Sequence, residues 1–402
     1  MWTYILLFLM YLAAVKFLRF RRRDRILTVL GKDRPLSSMT VPEAHSIMMQ
    51  LQELEFPCAF MKARTISLLK AGGIPTMSKL FAVTGQNNAR NGGKRVVDTE
   101  ILIREVQHNS RLSSRYQTAV ARMNYLHSRY RQAGKILDED LLHTLGSSVV
   151  EIFRILESEE WRPLSDVEKC AVGVVHMALG HDMEIPFKPL PSSSTGWTDG
   201  IHFATELRDW TLRYEENVAL PTEANDRYVR VYVDGLFPRL TPRLTTLLRK
   251  IIGFELGDVM RESLGIESTG LVLRFVLSGF KTLRRLALRH FSLPRPAFLA
   301  SKAIAKSPNP DTGLYNLTHF SAEPWYTKPS WWTTHGPSAQ IIRVLGGKIP
   351  ESVSDKFRPQ GYDLTTIGPQ PQEGKGMDSM AATISGLESQ DLSTCPFKSF
   401  KS

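Results

Sequence analysis

The first apolar run of the chain, Trp2 to Val15, has no period: WTYILLFLMYLAAV is apolar on every side and is followed by Lys16, Arg19, Arg21, Arg22 and Arg23. A helix needs ~20 residues to cross a hydrocarbon core, and this one reaches that length when Lys16 and Arg19 extend their charged ends toward the headgroups. The charges follow the run rather than precede it, and no small-residue cleavage site comes after, which predicts a retained anchor and not a cleaved signal. The basic flank then places the rest of the chain on the cytoplasmic side, and so short a span suits the thin bilayer of the endoplasmic reticulum.

Beyond the anchor the apolar spacing is three and four. Ile47, Met48, Leu51, Leu54 and Phe56 mark a core helix within 41–69, which Thr40 can cap. TEILIREVQ (99–107) begins another. Over 113–133 Val120, Met123, His127 and Tyr130 share one face, with Arg122 off that stripe beside Leu126. Asp138 is placed to cap a helix whose stripe is Leu141, Leu145, Val149, Ile152 and Leu156. His143 lies off that stripe on a face with Gly146, Ser147 and Val150, small enough for a flat ligand or a second helix to approach. Ser165 to Glu168 is a capping box. Trp210 and Tyr214 read as core, 244–264 as one amphipathic helix, and 270–291 as a basic amphipathic helix suited either to the core or to a headgroup layer. Strand alternation is absent, RVYV near Arg230 being too short for a sheet, so the fold class is all-α. The expected division is an anchor with its basic flank (1–23), a helical catalytic domain (36–300), and a Pro/Ser-rich, largely irregular extension (301–402) expected to be disordered beyond Glu351.

Composition narrows the function classes. The net charge is +11, yet no zinc-finger, RNP or helix-turn-helix signature accompanies it, so the expected partner is an anionic membrane and not a nucleic acid. Three scattered cysteines without a CxxC spacing argue against a disulfide framework or zinc knuckle, and for a reducing compartment. The Gly-rich stretches at 72–75 and 85–93 lack the context of a phosphate cradle. Asn316 opens a glycosylation acceptor on the wrong side of the membrane for use.

The candidate chemistry lies between His108 and His181, which hold five of the ten histidines. No nucleophile elbow supports a serine hydrolase. His181-Asp182 is a short His-Asp doublet, which leaves a metal phosphohydrolase as an alternative, and a non-catalytic membrane-tethered interaction protein as another. An iron site is the third option: an inward histidine, His127 or His143, would supply a ligand, with Arg122 and Arg131 available for haem propionates or for dioxygen.

ARMNYLHSRY (121–130), DEDLLHTL (138–145), EEWRPLSDVEKCAVG (159–173) and the GW, TDG and ATEL elements of 196–207 occur in order with GIPTMSKL and DTEILIRE upstream. Together with the anchor they resemble the MpaB-type ER-bound oxygenases of fungal secondary metabolism, which are distantly similar to the bacterial rubber oxygenases. The resemblance covers about 57–296. It implies a globin-related helical core, haem b, and oxidative cleavage by dioxygen of a C=C bond in the prenyl side chain of a lipophilic, meroterpenoid-like substrate. It further implies a single-pass enzyme of the endoplasmic reticulum membrane with its catalytic domain facing the cytosol. In register with the rubber-oxygenase helix that bears the axial histidine, this chain has Gly146 at that position, so the ligand is left to His143 one turn earlier, to His127, or to another residue. Arg122 and Tyr130 are expected beside the oxygen species, Arg131 beside the cofactor, and Glu105 as a candidate base.

Overall fold

The computed structural model describes residues 1–31, 34–320, 323–350, 355–391 and 394–397. Helix follows helix: α1 (Trp2–Leu18), α2 (Arg21–Leu30), α3 (Val41–Gln50), α4 (Pro57–Ala71), α5 (Pro75–Val83), α6 (Gly92–His108), α7 (Ser114–Gln132), α8 (Asp138–Glu159), α9 (Asp166–Asp182), α10 (Gly200–Val218), α11 (Glu223–Tyr232), α12 (Pro242–Glu255), α13 (Asp258–Ser263) and α14 (Leu271–Phe291). Shorter pieces, α15 (Trp331–His335), α16 (Pro337–Val344) and α17 (Met377–Glu388), stud the extension. Among the described residues β-structure is limited to isolated bridges such as Tyr315 with Tyr362, so the all-α expectation holds.

Local chemistry sets the boundaries. Thr40 and Ser165 each form a full capping box, with Glu43 and Glu168 reaching back to the cap, so two orphan amides are met at each start. The apolar stripe read across 41–69 is interrupted by a π-turn at Leu51–Glu55, and Pro57 restarts the helix as α4. Residues 244–264, expected as one helix, divide into α12 and α13, RVYV belongs to α11, and α6 starts at Gly92, inside the expected loop.

α8 is the central element, packed between α4 and α10, while α9 lies across α3 and α10. Leu142, Val149, Ile152 and Leu156 sink into this core beside Phe203, Leu207 and Met177. α9 and α10 touch through backbone: a Cβ on Gly173 would stand 1.8 Å from the Gly200 carbonyl oxygen, so only glycine allows this approach. A second core joins α6 and α7 to the extension, with Val97, Ile101 and Val120 against Tyr362, Ile367 and Leu387. Residues 355–391 are therefore folded against α7, which corrects the expectation of a disordered tail: Tyr362, Leu364 and Ile367 come from irregular chain, and Met380, Ile384 and Leu387 mark the one short helical period, of α17.

α1 projects with its apolar side chains exposed, and the Trp2–Leu30 stretch is long and apolar enough to cross a membrane. Its base is fastened to the body. Arg19 is buried, its guanidinium 4.0 Å from the centre of the Trp161 ring, and Arg22 pairs with Glu55 and donates to the Arg295 carbonyl at 2.9 Å. Part of the basic flank thus faces protein.

Candidate active site

The residues nominated from sequence fall into three surroundings. The first is the outer half of α7, whose start is capped by Ser113 accepting the Tyr116 amide. His127 and Tyr130, one turn apart, are half-buried, and among the described residues neither the imidazole nor the phenol has a hydrogen-bond partner. Burial first, then the charges of Arg131 and Arg95, pushes the His127 pKa down to about 4. The ring is half-buried and keeps part of its surface accessible. Arg95 lies 3.6 Å from the centre of the Phe81 ring and donates to the Tyr232 hydroxyl at 3.0 Å. Arg131 donates to Asp138 at 3.2 Å and to the Glu184 carbonyl at 3.0 Å, which ties the end of α7 to the start of α8 and the end of α9. The result is a neutral, uncommitted imidazole flanked by two guanidinium groups.

The second surrounding is the interior between α4, α8 and α10. His143 is fully buried, and its Nε2 stands 3.0 Å from Glu215. Lys70 reaches both Glu215 oxygens at 3.2 Å and Glu151 at 2.9 Å, and Arg154 completes the set by pairing with Glu151 at 2.7 Å. Burial alone would raise the Glu215 carboxyl, but the His143 hydrogen bond and the Lys70 charge outweigh it and hold the pKa below the ordinary value. A carboxylate facing Nε2 is met by a proton there, and the other ring nitrogen, Nδ1, is buried without a partner. Beside it Asp140 accepts from Thr76 at 2.8 Å and from Tyr214 at 2.9 Å, while Tyr214 stacks on Trp210 with ring centres 5.0 Å apart.

The third surrounding lies beneath the extension. Arg122 is fully buried five positions before His127, on a different face of α7, and spends its guanidinium on carbonyls: Ile367 at 2.6 Å, Gln372 at 2.8 Å and Lys375 at 2.9 Å. Glu105, also fully buried, accepts from Arg115 at 2.9 Å, Asn109 at 2.7 Å and the Tyr362 hydroxyl at 2.5 Å. Burial and that carboxylate raise the Tyr362 pKa, keeping the phenol protonated as a donor. The structure therefore joins Glu105 and Arg122 to the extension and keeps His127, Tyr130 and Arg131 together, while His143 lies apart from both groups.

These surroundings bear on a haem. An iron-ligating imidazole must be neutral with a free nitrogen, and the propionates need cations nearby. His127 with Arg131 and Arg95 meets those terms. At Gly146 a Cβ would lie 1.9 Å from the Thr211 hydroxyl and 3.0 Å from Leu207, so the small-residue face of α8 serves the approach of α10 and leaves no room for a flat ligand. The His181-Asp182 doublet is likewise occupied: Asp182 is gripped by Arg111 and accepts from Tyr116 at 2.7 Å. Among the described residues no three His, Cys, Asp or Glu side chains gather as metal ligands. His181 instead borders an open surface hollow of about 420 Å³ with Phe187 and Trp197.

Sequence reasoning missed Lys70, Glu151, Glu215 and Arg95. Each is a single charged residue on an amphipathic helix, and only the packing of α4 and α10 on α8, or of α6 beside α7, shows that it faces inward.

Over 363 residues the chain is 35% identical to the ER-bound oxygenase mpaB' of Penicillium brevicompactum, spanning 90% of this chain and 86% of that protein. It is 34% identical over 331 residues to the ER-bound oxygenase mpaB of the same species, spanning 81% and 77% respectively. Against the ER-bound oxygenase mpaB of Penicillium roqueforti (strain FM164) the identity is 42% over 191 residues, 47% of this chain and 64% of the other. No family model matches the chain.

Proposed function

Because the chain belongs to the family of mpaB-type ER-bound oxygenases, we propose that it cleaves a C=C bond of a prenyl side chain on a lipophilic, meroterpenoid-like substrate at the His127 face of α7. The observation that carries the site is the neutral, partnerless His127 between Arg131 and Arg95. In this reading His127 would hold the iron of haem b, and Arg131 and Arg95 would stand near its propionates. Bound there, the haem would supply the activation of dioxygen. Cleavage balances without an external reductant: the two oxygen atoms of one dioxygen end as two carbonyl groups, one on each former alkene carbon.

The protein's own part is to bind, orient and exclude water. The Tyr130 hydroxyl, one turn beyond His127, supplies a donor on the same face of α7. Arg122 and Glu105, with their polar atoms committed to the extension, act as positioning residues that hold α7 and α6 in register. His143 and its ion cluster brace α8 from behind. The enzyme associates with the endoplasmic reticulum membrane, and we assign it a single span with the helical body on the cytosolic side, where a prenylated substrate is delivered from the bilayer.

Purified protein should show a Soret band that is lost in His127→Ala with helicity unchanged by circular dichroism, and that survives in His143→Gln. Under ¹⁸O₂ both product carbonyls should carry label. A colourless, iron-free but active protein would overturn the haem assignment; product carbonyls without label would overturn the cleavage reading.

A further inference from the structure

α14 lacks a buried residue over its whole length, although it is one of the longer helices of the chain. Leu273, Leu277, Lys281, Arg284 and Leu288, spaced at three and four, are its least exposed positions and form its contact with the body. Lys281 is clamped there by Glu159 at 3.0 Å and Glu255 at 2.9 Å, and Arg284 by Glu160 at 2.8 Å. The rest of the circumference is bare. Val272, Phe275, Val276, Phe280, Leu283 and Leu286 are all exposed, Phe275 at 79%, and Phe298 just beyond the helix at 85%. A soluble surface does not carry so many large apolar side chains on one face.

The anchor identifies what covers them. Arg19 marks the base of α1 on the body, and eight residues toward the apolar end the Tyr11 hydroxyl donates to the Phe291 carbonyl at 2.6 Å. At the rise of a helix, Tyr11 lies about 12 Å beyond Arg19 along the anchor. Where α1 enters hydrocarbon at its base, the carboxyl end of α14 is already at acyl-chain depth. Val15 of α1 is buried on this same contact.

We propose that α14 is immersed alongside α1 in the leaflet next to the helical body, its bare face against acyl chains and its exposed Arg274, Arg285 and Arg289 reaching back to lipid phosphates. The occupant of this face is the phospholipid bilayer, and the protein stands on the membrane on two helices instead of hanging from one. The cations beside the apolar arc fit the pattern of a helix lying in an interface, where long basic side chains extend to the headgroups.

This inference rests on reading α1 as a membrane span, and the test separates the two. Full-length protein carrying Cys58→Ser is reconstituted into vesicles of phosphatidylcholine with phosphatidylserine, and a nitroxide is attached at one cysteine at a time: Val272→Cys, Phe275→Cys or Leu283→Cys on α14, Phe8→Cys on α1 and Glu216→Cys on α10. Collision with oxygen and with a water-soluble nickel chelate is measured by electron paramagnetic resonance. The α14 reporters should favour oxygen several-fold over nickel, as Phe8→Cys does, and Glu216→Cys should show the reverse. α14 reporters that follow Glu216→Cys while Phe8→Cys stays immersed would overturn the inference and leave the span intact. Low access to both colliders would overturn it in favour of a covering protein chain. A water-like Phe8→Cys would remove the span and the inference together.

Discussion

His176 shows how a histidine in this cluster is used when it is only structural. Its Nδ1 faces the Val172 carbonyl at 2.8 Å and its Nε2 the Ser148 hydroxyl at 3.1 Å, and burial pushes its pKa down to about 4. Folded, it stays neutral to about pH 4; unfolded, it takes up a proton below about 6.5. Between those values the unfolded state binds more protons, so stability present above pH 6.5 is lost as pH falls toward 4, by an amount on the order of 3 kcal/mol. His176→Gln should remove that part of the acid sensitivity, so that urea midpoints at pH 7.5 and pH 5 draw closer; an unaltered gap would mean that other groups set it. Lys70 makes the complementary case. Methionine there would leave Glu151 and Glu215 facing each other with one cation fewer, a loss of about 3–5 kcal/mol for a buried pair broken from one side. Adding Glu215→Gln should return part of it, and strict additivity in that double-mutant cycle would show that the pair is not coupled. The His143 pairing could not be read from the sequence, because its partner Glu215 lies 72 positions away on a helix whose orientation only the fold defines.

At the scale of elements, capping boxes were legible because they are a local chemical requirement, and Thr40 with Glu43 and Ser165 with Glu168 stand where their sequence puts them; Asp138, expected to cap α8, instead lies in its first turn, with Leu137 at the cap. The stripe of α8 was equally plain, because its apolar positions face a core on two sides. The joints were less so: the π-turn before Pro57 and the break between α12 and α13 are settled by packing, as the apolar period runs on through both. The role of α7 divided in a way its periodicity did not announce. Its first half holds the extension through Arg122 and its second half carries His127. Lysine at position 122 keeps the charge but reaches about one of the three carbonyls, so Arg122→Lys should cost about 3 kcal/mol at the ~1.5–3 kcal/mol of a charged hydrogen bond. The loss should appear as faster proteolysis of residues 355–391 before any loss of overall helicity by circular dichroism. A variant of normal stability and normal proteolytic resistance with activity abolished would instead put Arg122 in the chemistry.

For the whole molecule, the fold class and the anchor follow from composition and period, while the manner in which the anchor meets the body depends on contacts spanning hundreds of residues. Arg19 donates to the Leu293 carbonyl and Arg22 to that of Arg295, so the segment after α14 closes over the base of α1. An arginine after an apolar run reads from sequence as a headgroup ligand; here Trp161 and Glu55 compete for it, and neither is marked by its neighbours in the chain. The base of α1 is consequently fastened to the body through Arg19 and Arg22, as a mount and not a loose tether. Arg19→Ala with Arg22→Ala removes the cation–π contact, the ion pair and both carbonyl bonds without shortening the apolar run. That protein should remain in the membrane fraction after an alkaline wash, because the apolar run of α1 is intact. Trypsin should then cut at Arg23 and Arg25 about tenfold faster, since α2 no longer holds its place on the body. Unchanged cleavage would show that α1 is a simple tether and that the contacts of Arg19 and Arg22 do not hold α2 on the body.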